Sequence, residues 1–265
     1  MTTYIKFITL YKYLNGVLYI DMIILFKYNL RGLTKIMRVI FMKKRFAFTL
    51  AEVLITLGVI GVVAALTLPG LITKNKAKRL KSQYMKAYSE IAQAIKMMKY
   101  DEISLDIANY PNSSSFKKAY LPYFKVLDQC LDARNNPLCD DMNGKNYKTL
   151  DGSKYMPGYF VDDGQFVLLD GTLLMFENPS STTISKVLIH VDINGKKGKP
   201  NKWGYDLFTY CIKDEELLPM GAPGTEYSGE NYCNPQGNGQ FNGIACAYKA
   251  MNENDYFDKI VQTVK

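Results

Sequence analysis

The stretch FTLAEVLITLGVIGVVAALTL, Phe48–Leu68, carries one ionisable side chain, Glu52, in 21 positions. As a helix it would rise roughly 31 Å, the thickness of a bilayer's hydrocarbon core. Lys43, Lys44 and Arg45 stand just before it and hold that end in the cytoplasm. An ordinary secretory signal has an apolar run of only about 7–15 residues and is removed whole. This run is longer, and it continues into a second pattern. Leu80, Tyr84, Ala87, Tyr88, Ile91, Ile95 and Met98 fall on one helix face, with Lys81, Lys86, Glu90, Gln93 and Lys96 between them. Together the two patterns predict one helix from Phe48 to about Lys99, membrane half first, with Pro69 and Gly70 kinking or loosening it near the junction.

Working outward toward the start, residues 1–41 are rich in Tyr, Ile, Leu and Phe with scattered bases. Val17–Phe26 is apolar except for Asp21 and short for a membrane span. Two readings stand: a second membrane element, or a start codon placed too early. The second is favoured, because Met42 opens a short basic leader, MKKRFA, over 42–47. The net charge of +8 belongs to this region. Nine of the 33 Lys and Arg but only one of the 25 acidic residues lie in 1–47, so the chain from Phe48 onward is neutral. No basic footprint for nucleic acid is left in its body, and direct nucleic-acid binding is not expected.

Toward the C-terminus the periodicity changes after Tyr100. Phe116–Phe124 reads as a short helix and 128–157 as turn-rich. Phe166–Leu169 and Thr172–Phe176 flank Asp170-Gly171, a two-residue hairpin signal. Lys186–Asp192 alternates, with Leu188, His190 and Asp192 on one face and Val187, Ile189, Val191 and Ile193 on the other. Tyr205–Ile212 reads as a fourth strand, and 214–243, rich in Gly, Pro and Asn, as a long surface loop. The fold class expected is α+β, a long N-terminal helix packed on a small antiparallel sheet that forms a head over 101–265.

All five cysteines lie in that head, which suits an oxidising compartment. Cys233 and Cys246 bracket a Gly/Asn-rich loop and are the first disulfide candidates; Cys130 and Cys139 come second. Cys211 completes the set, and sequence leaves the connectivity open. With His190 the single histidine, Ser-His-Asp and Cys-His catalysis would both rest on a mid-strand residue, and no phosphate-binding glycine loop appears. An enzyme is not expected; the alternative kept open is a membrane-tethered extracytoplasmic enzyme or binding domain that forms no filament.

The run AFTLAEVLITLGVIGVVAAL, Ala47–Leu66, resembles the processing and methylation motif of type IV prepilins and type II secretion pseudopilins. The resemblance implies cleavage by a prepilin peptidase between Ala47 and Phe48 and methylation of the new Phe48 amine. Ala47 departs from the family's commoner Gly. Glu52 becomes the fifth residue of the mature chain and Pro69 the twenty-second, both as in the family. It further implies a pilin-like fold, a helix over 48–69 that inserts and assembles, and an amphipathic continuation over 70–100. The expected product is a minor or specialised filament subunit, anchored in the inner membrane with its head outside the cytoplasm and then carried into a periplasmic or extracellular filament. Its implied partners are other pilin or pseudopilin subunits, the inner-membrane assembly platform and membrane lipid. Type II secretion, a type IV pilus and DNA uptake all use this motif.

A carboxylate in a membrane helix costs roughly 2.5–3.5 kcal/mol on insertion scales, so Glu52 needs a partner. The resemblance names the Phe48 amine of a neighbouring subunit, which would turn the penalty into a register signal; the competing reading is that Glu52 snorkels to the headgroups. VDINGKKGKPNKWGYDLF, Val191–Phe208, also resembles a loop of prepilin-like proteins that precedes a final strand. Some pseudopilins bind calcium in a C-terminal loop, which would make Asp192, Asn194 and Asp206 ligands. Lys196 stands where such a loop needs a third oxygen, and a turn capped by Asx side chains is the preferred reading.

Overall fold

The structure, a computed structural model, describes residues 7–14, 17–24, 49–110, 113–131, 133–177 and 187–264. The chain divides into two units, Met1–Val59 and Ile60–Lys265, with the division falling inside the first helix. In the first unit, β1 (Phe7–Leu14) and β2 (Val17–Ile24) pair antiparallel, Phe7 opposite Ile24 and Leu14 opposite Val17. The apolar stretch after residue 16 is thus a strand where it is described.

Helix α1 (Leu50–Tyr100) runs on through Pro69. Its second half buries Ala77, Leu80, Tyr84, Ala87, Ile91, Ala94, Ile95 and Met98, the expected face enlarged by two alanines, with Tyr88 half-buried beside it. Each large aliphatic side chain removed from water there contributes about 1.5–3 kcal/mol. The Tyr84 hydroxyl donates to the Ala247 carbonyl at 2.6 Å, which satisfies the phenol inside the core. The helix stops where Glu102 turns into the left-handed region and the Ile103 amide bonds back to the Met98 carbonyl, a Schellman closure made without glycine. Helix α2 (Ser113–Tyr120) and a 3-10 turn, Leu121–Tyr123, follow where a short helix was expected.

The sheet is an antiparallel meander of six strands in chain order: β3 (Val126–Asp128), β4 (Gln165–Leu168), β5 (Leu173–Glu177), β6 (Leu188–Asp192), β7 (Leu207–Lys213) and β8 (Glu216–Pro219). Both faces are buried. Phe166, Leu174, Phe176, Ile189, Val191, Phe208 and Tyr210 meet α1, while Val167, Leu173, Met175, Leu188 and Cys211 meet Tyr147, Phe160, Trp203 and Ile244 from irregular segments. The two faces read in the alternation of β6 therefore point into two different cores.

Three sequence expectations need correction. The β4–β5 connection is not a two-residue turn: Gly171 donates to the Leu168 carbonyl and Leu168 to the Thr172 carbonyl, so Leu169-Asp170-Gly171 forms a three-residue loop with Gly171 at φ +92°. Residues 214–243 are not simply a surface loop, because β8 lies among them and Met220, Cys233 and Asn242 are buried. The strand after the Val191–Phe208 loop is not the final strand, since β8 follows it; helices α3 (Cys246–Asn252) and α4 (Tyr256–Thr263) come after the sheet.

Candidate functional site

The start of α1 is closed by a reciprocal capping box. The Thr49 amide and hydroxyl donate to Glu52 Oε2 at 2.8 and 2.9 Å, and the Glu52 amide donates to Thr49 Oγ1 at 3.2 Å. From Leu50 to Ile72 the large apolar side chains face outward, from 40% exposed at Val53 to 78% at Leu66. Among the described residues this is the one helix long and apolar enough to cross a membrane, and none of its apolar window is buried in the fold.

Its threonine hydroxyls find acceptors within the helix itself. Thr56, Thr67 and Thr73 donate their hydroxyls to the carbonyls of Glu52, Val63 and Pro69, four residues back, at 2.8–2.9 Å. Pro69 withdraws one backbone donor, so the Ala65 carbonyl loses its i+4 partner. A Cβ added at Gly58 or Gly61 would meet nothing within 4 Å, so neither position is small because of packing among the described residues. Ala47 and Phe48, the expected processing pair, lie outside the described residues.

In the head, Cys233 pairs with Cys246 (Cα–Cα 5.0 Å) and Cys130 with Cys139 (Cα–Cα 5.8 Å), leaving Cys211 as a buried thiol. The first bond ties the segment after β8 to the start of α3. The second brackets Arg134-Asn135-Asn136-Pro137, shortly after β3.

Asp192, Asn194 and Asp206 do converge. Asp206 accepts the Asn201 and Lys202 amides at 2.9 and 2.7 Å and the Asn194 side-chain amide at 3.3 Å. Asp192 accepts the Asn194 amide at 3.2 Å and the Tyr147 hydroxyl at 2.8 Å. Lys196 turns away to the Cys139 carbonyl at 2.6 Å. Among the described residues the buried side-chain oxygens left without a partner here are Asn194 Oδ1 and Asn201 Oδ1, short of the roughly six to eight oxygens that calcium takes. The residues fit an Asx-capped turn, not a calcium cage. Burial holds both carboxyls above the usual range: Asp192 well above it, with Asp206 adding to the rise, and Asp206 to about 6.

His190 is fully buried, its Nδ1 2.9 Å from the Thr209 hydroxyl, and burial pushes its pKa down to about 3. It sits among Phe160 and Trp203 as a core residue. Asp162 and Asp163 precede β4, and the fold brings Glu177 beside them, with one carboxylate oxygen from each within 4.8 Å of the others. Burial, then Asp163 and Asp162, push Glu177 up to about 8. Nothing local in the sequence marks that juxtaposition, which depends on how the segment before β4 meets the end of β5. The capping box, by contrast, is spelled out as Thr49-x-x-Glu52.

No family model, curated protein or solved structure matches this chain.

Proposed function

We propose that the chain is a structural subunit, minor or specialised, of a type IV pilus or type II secretion pseudopilus. A prepilin peptidase frees Phe48, and the Phe48–Pro69 segment first anchors the protein in the inner membrane and then packs against its copies or sister subunits. The observation that carries this reading is the exposed apolar half of α1, continuous with a helix half that is the spine of a folded head, with Glu52 as the lone carboxylate near its start. A helix meant only to tether needs no carboxylate there, and the cost of burying one in lipid argues for a partner. The prepilin-like motif at Ala47–Leu66 supplies that partner, the Phe48 amine of a neighbouring subunit. Gly58 and Gly61, without packing partners among the described residues, suit close approach by other helices. The head supplies a disulfide-tied surface and no catalytic role. Mass spectrometry of the native N-terminus tests the reading: the accumulated protein is expected to begin at Phe48, N-methylated. A mature pool containing peptides that span Ala47–Phe48 would overturn it in favour of a tethered domain.

A further inference from the structure

Between Glu52 and Glu90 the chain holds no acidic residue, and five of the eight positions from 74 to 81 are basic: Lys74, Lys76, Lys78, Arg79 and Lys81. They begin two residues beyond Ile72, where the exposed apolar run ends. At about 1.5 Å per residue they occupy roughly 10 Å of helix, comparable to the interfacial layer on one side of a bilayer. Their placement around the helix is unusual for a protein contact. With about 3.6 residues per turn, Lys74, Lys78 and Lys81 fall on one flank of the buried Ala77–Leu80–Tyr84 stripe and Arg79 on the side away from it. Lys76 lies on the other flank, its Nζ 5.0 Å from the centre of the Tyr205 ring. Lys74, Lys78, Arg79 and Lys81 are exposed.

Among the described residues none of the five has a carboxylate within salt-bridge distance, and Lys81 reaches only the Asn254 carbonyl at 3.4 Å. Lys86, one turn further into the head, is paired with both Asp170 and Glu90. Lys86 is thus neutralised, whereas the collar is left charged. A protein or nucleic-acid partner would meet one face of such a helix. A helix leaving a bilayer meets phosphates on every exposed side.

We infer that Lys74, Lys78, Arg79 and Lys81 bind anionic phospholipid headgroups and hold the base of the head at the membrane surface until the subunit is drawn out. This rests on the reading of the apolar half of α1 as a membrane segment. Cleavage before Phe48 would remove Lys43, Lys44 and Arg45, so in the processed chain the collar is the only basic cluster bordering that segment.

The test is to purify the chain from membranes in nonionic detergent, add equal phosphatidylglycerol and phosphatidylcholine, and count retained lipids by native mass spectrometry. Wild type is expected to hold about tenfold more phosphatidylglycerol than the variant carrying Lys74→Gln, Lys78→Gln, Arg79→Gln and Lys81→Gln. The variant with Lys74→Arg, Lys78→Arg and Lys81→Arg is expected to match wild type. Equal retention by wild type and the glutamine variant overturns the proposal, as does a glutamine variant whose lipid retention is normal while its assembly fails, which would place the charges against a neighbouring subunit. Carbonate extraction from vesicles separates the two readings. A wild-type chain that carbonate strips undoes the membrane segment itself; one that resists carbonate without preferring phosphatidylglycerol undoes the collar alone.

Discussion

Glu52 and Thr49 exchange three hydrogen bonds; the two that reach the carboxylate both end on Oε2 and the third is donated by the Glu52 amide, so Oε1 is left for a second donor. If that donor is the Phe48 amine of the next subunit, Glu52→Ala leaves membrane insertion intact or improved and cleavage before Phe48 unchanged, while assembly fails. Glu52→Asp is expected to be intermediate, keeping the charge but losing one methylene of reach. The comparison is between cleaved membrane-bound protein and protein in sheared filaments. Thr49→Ala removes the cap at a cost of about 1 kcal/mol to the helix start, and should lower assembly less than Glu52→Ala does. A second residue-scale consequence concerns pH. Glu177, raised from 4.5 to about 8 mainly by burial, keeps its proton in the fold over a range where the unfolded chain has lost it. Its contribution therefore falls as pH climbs from about 4.5 to 8. His190, held down to about 3, slopes the other way only below its ordinary range. In thermal melts, Glu177→Gln is expected to match wild type near pH 4 and to exceed it increasingly toward pH 8; parallel profiles would contradict this.

At the scale of elements, the disulfide between Cys233 and Cys246 fixes the one long connection that leaves the sheet and returns as a helix. Replacing both cysteines by serine should destabilise the head by about 3 kcal/mol in urea titrations. The sequence made α1 legible because its two patterns, an uninterrupted apolar run and a 3.6-residue stripe, each have a single structural solution. The strands β4 to β7 were legible for the same reason: alternation at Val187–Ile193 separates the two cores. What was not legible depends on distant partners. Leu217 and Leu218 carry too little pattern to announce β8, which forms because β7 offers it an edge, with Cys211 opposite Leu218. Tyr147 gives no local sign that it will meet Asp192, 45 residues away. The Asp-Gly turn was misread by one position because Gly171 serves as the left-handed closing residue of a longer loop, a use that two residues of sequence do not distinguish.

At the scale of the whole molecule, an exposed apolar helix half runs on into a head with buried cores on both faces of its sheet. Residues from about Asn75 onward are expected to be soluble and monomeric when separated from the apolar half, with Cys233 and Cys246 oxidised; size-exclusion chromatography and non-reducing peptide mapping check both. Loss of the membrane half should abolish polymerisation without unfolding the head. Whether the processed chain polymerises is read most directly by shearing intact cells or envelopes and examining what is released. Filaments are expected whose subunits include this chain, beginning at Phe48. Processed chain that stays in the membrane as a monomer, or a head released without its helix, would contradict the filament reading.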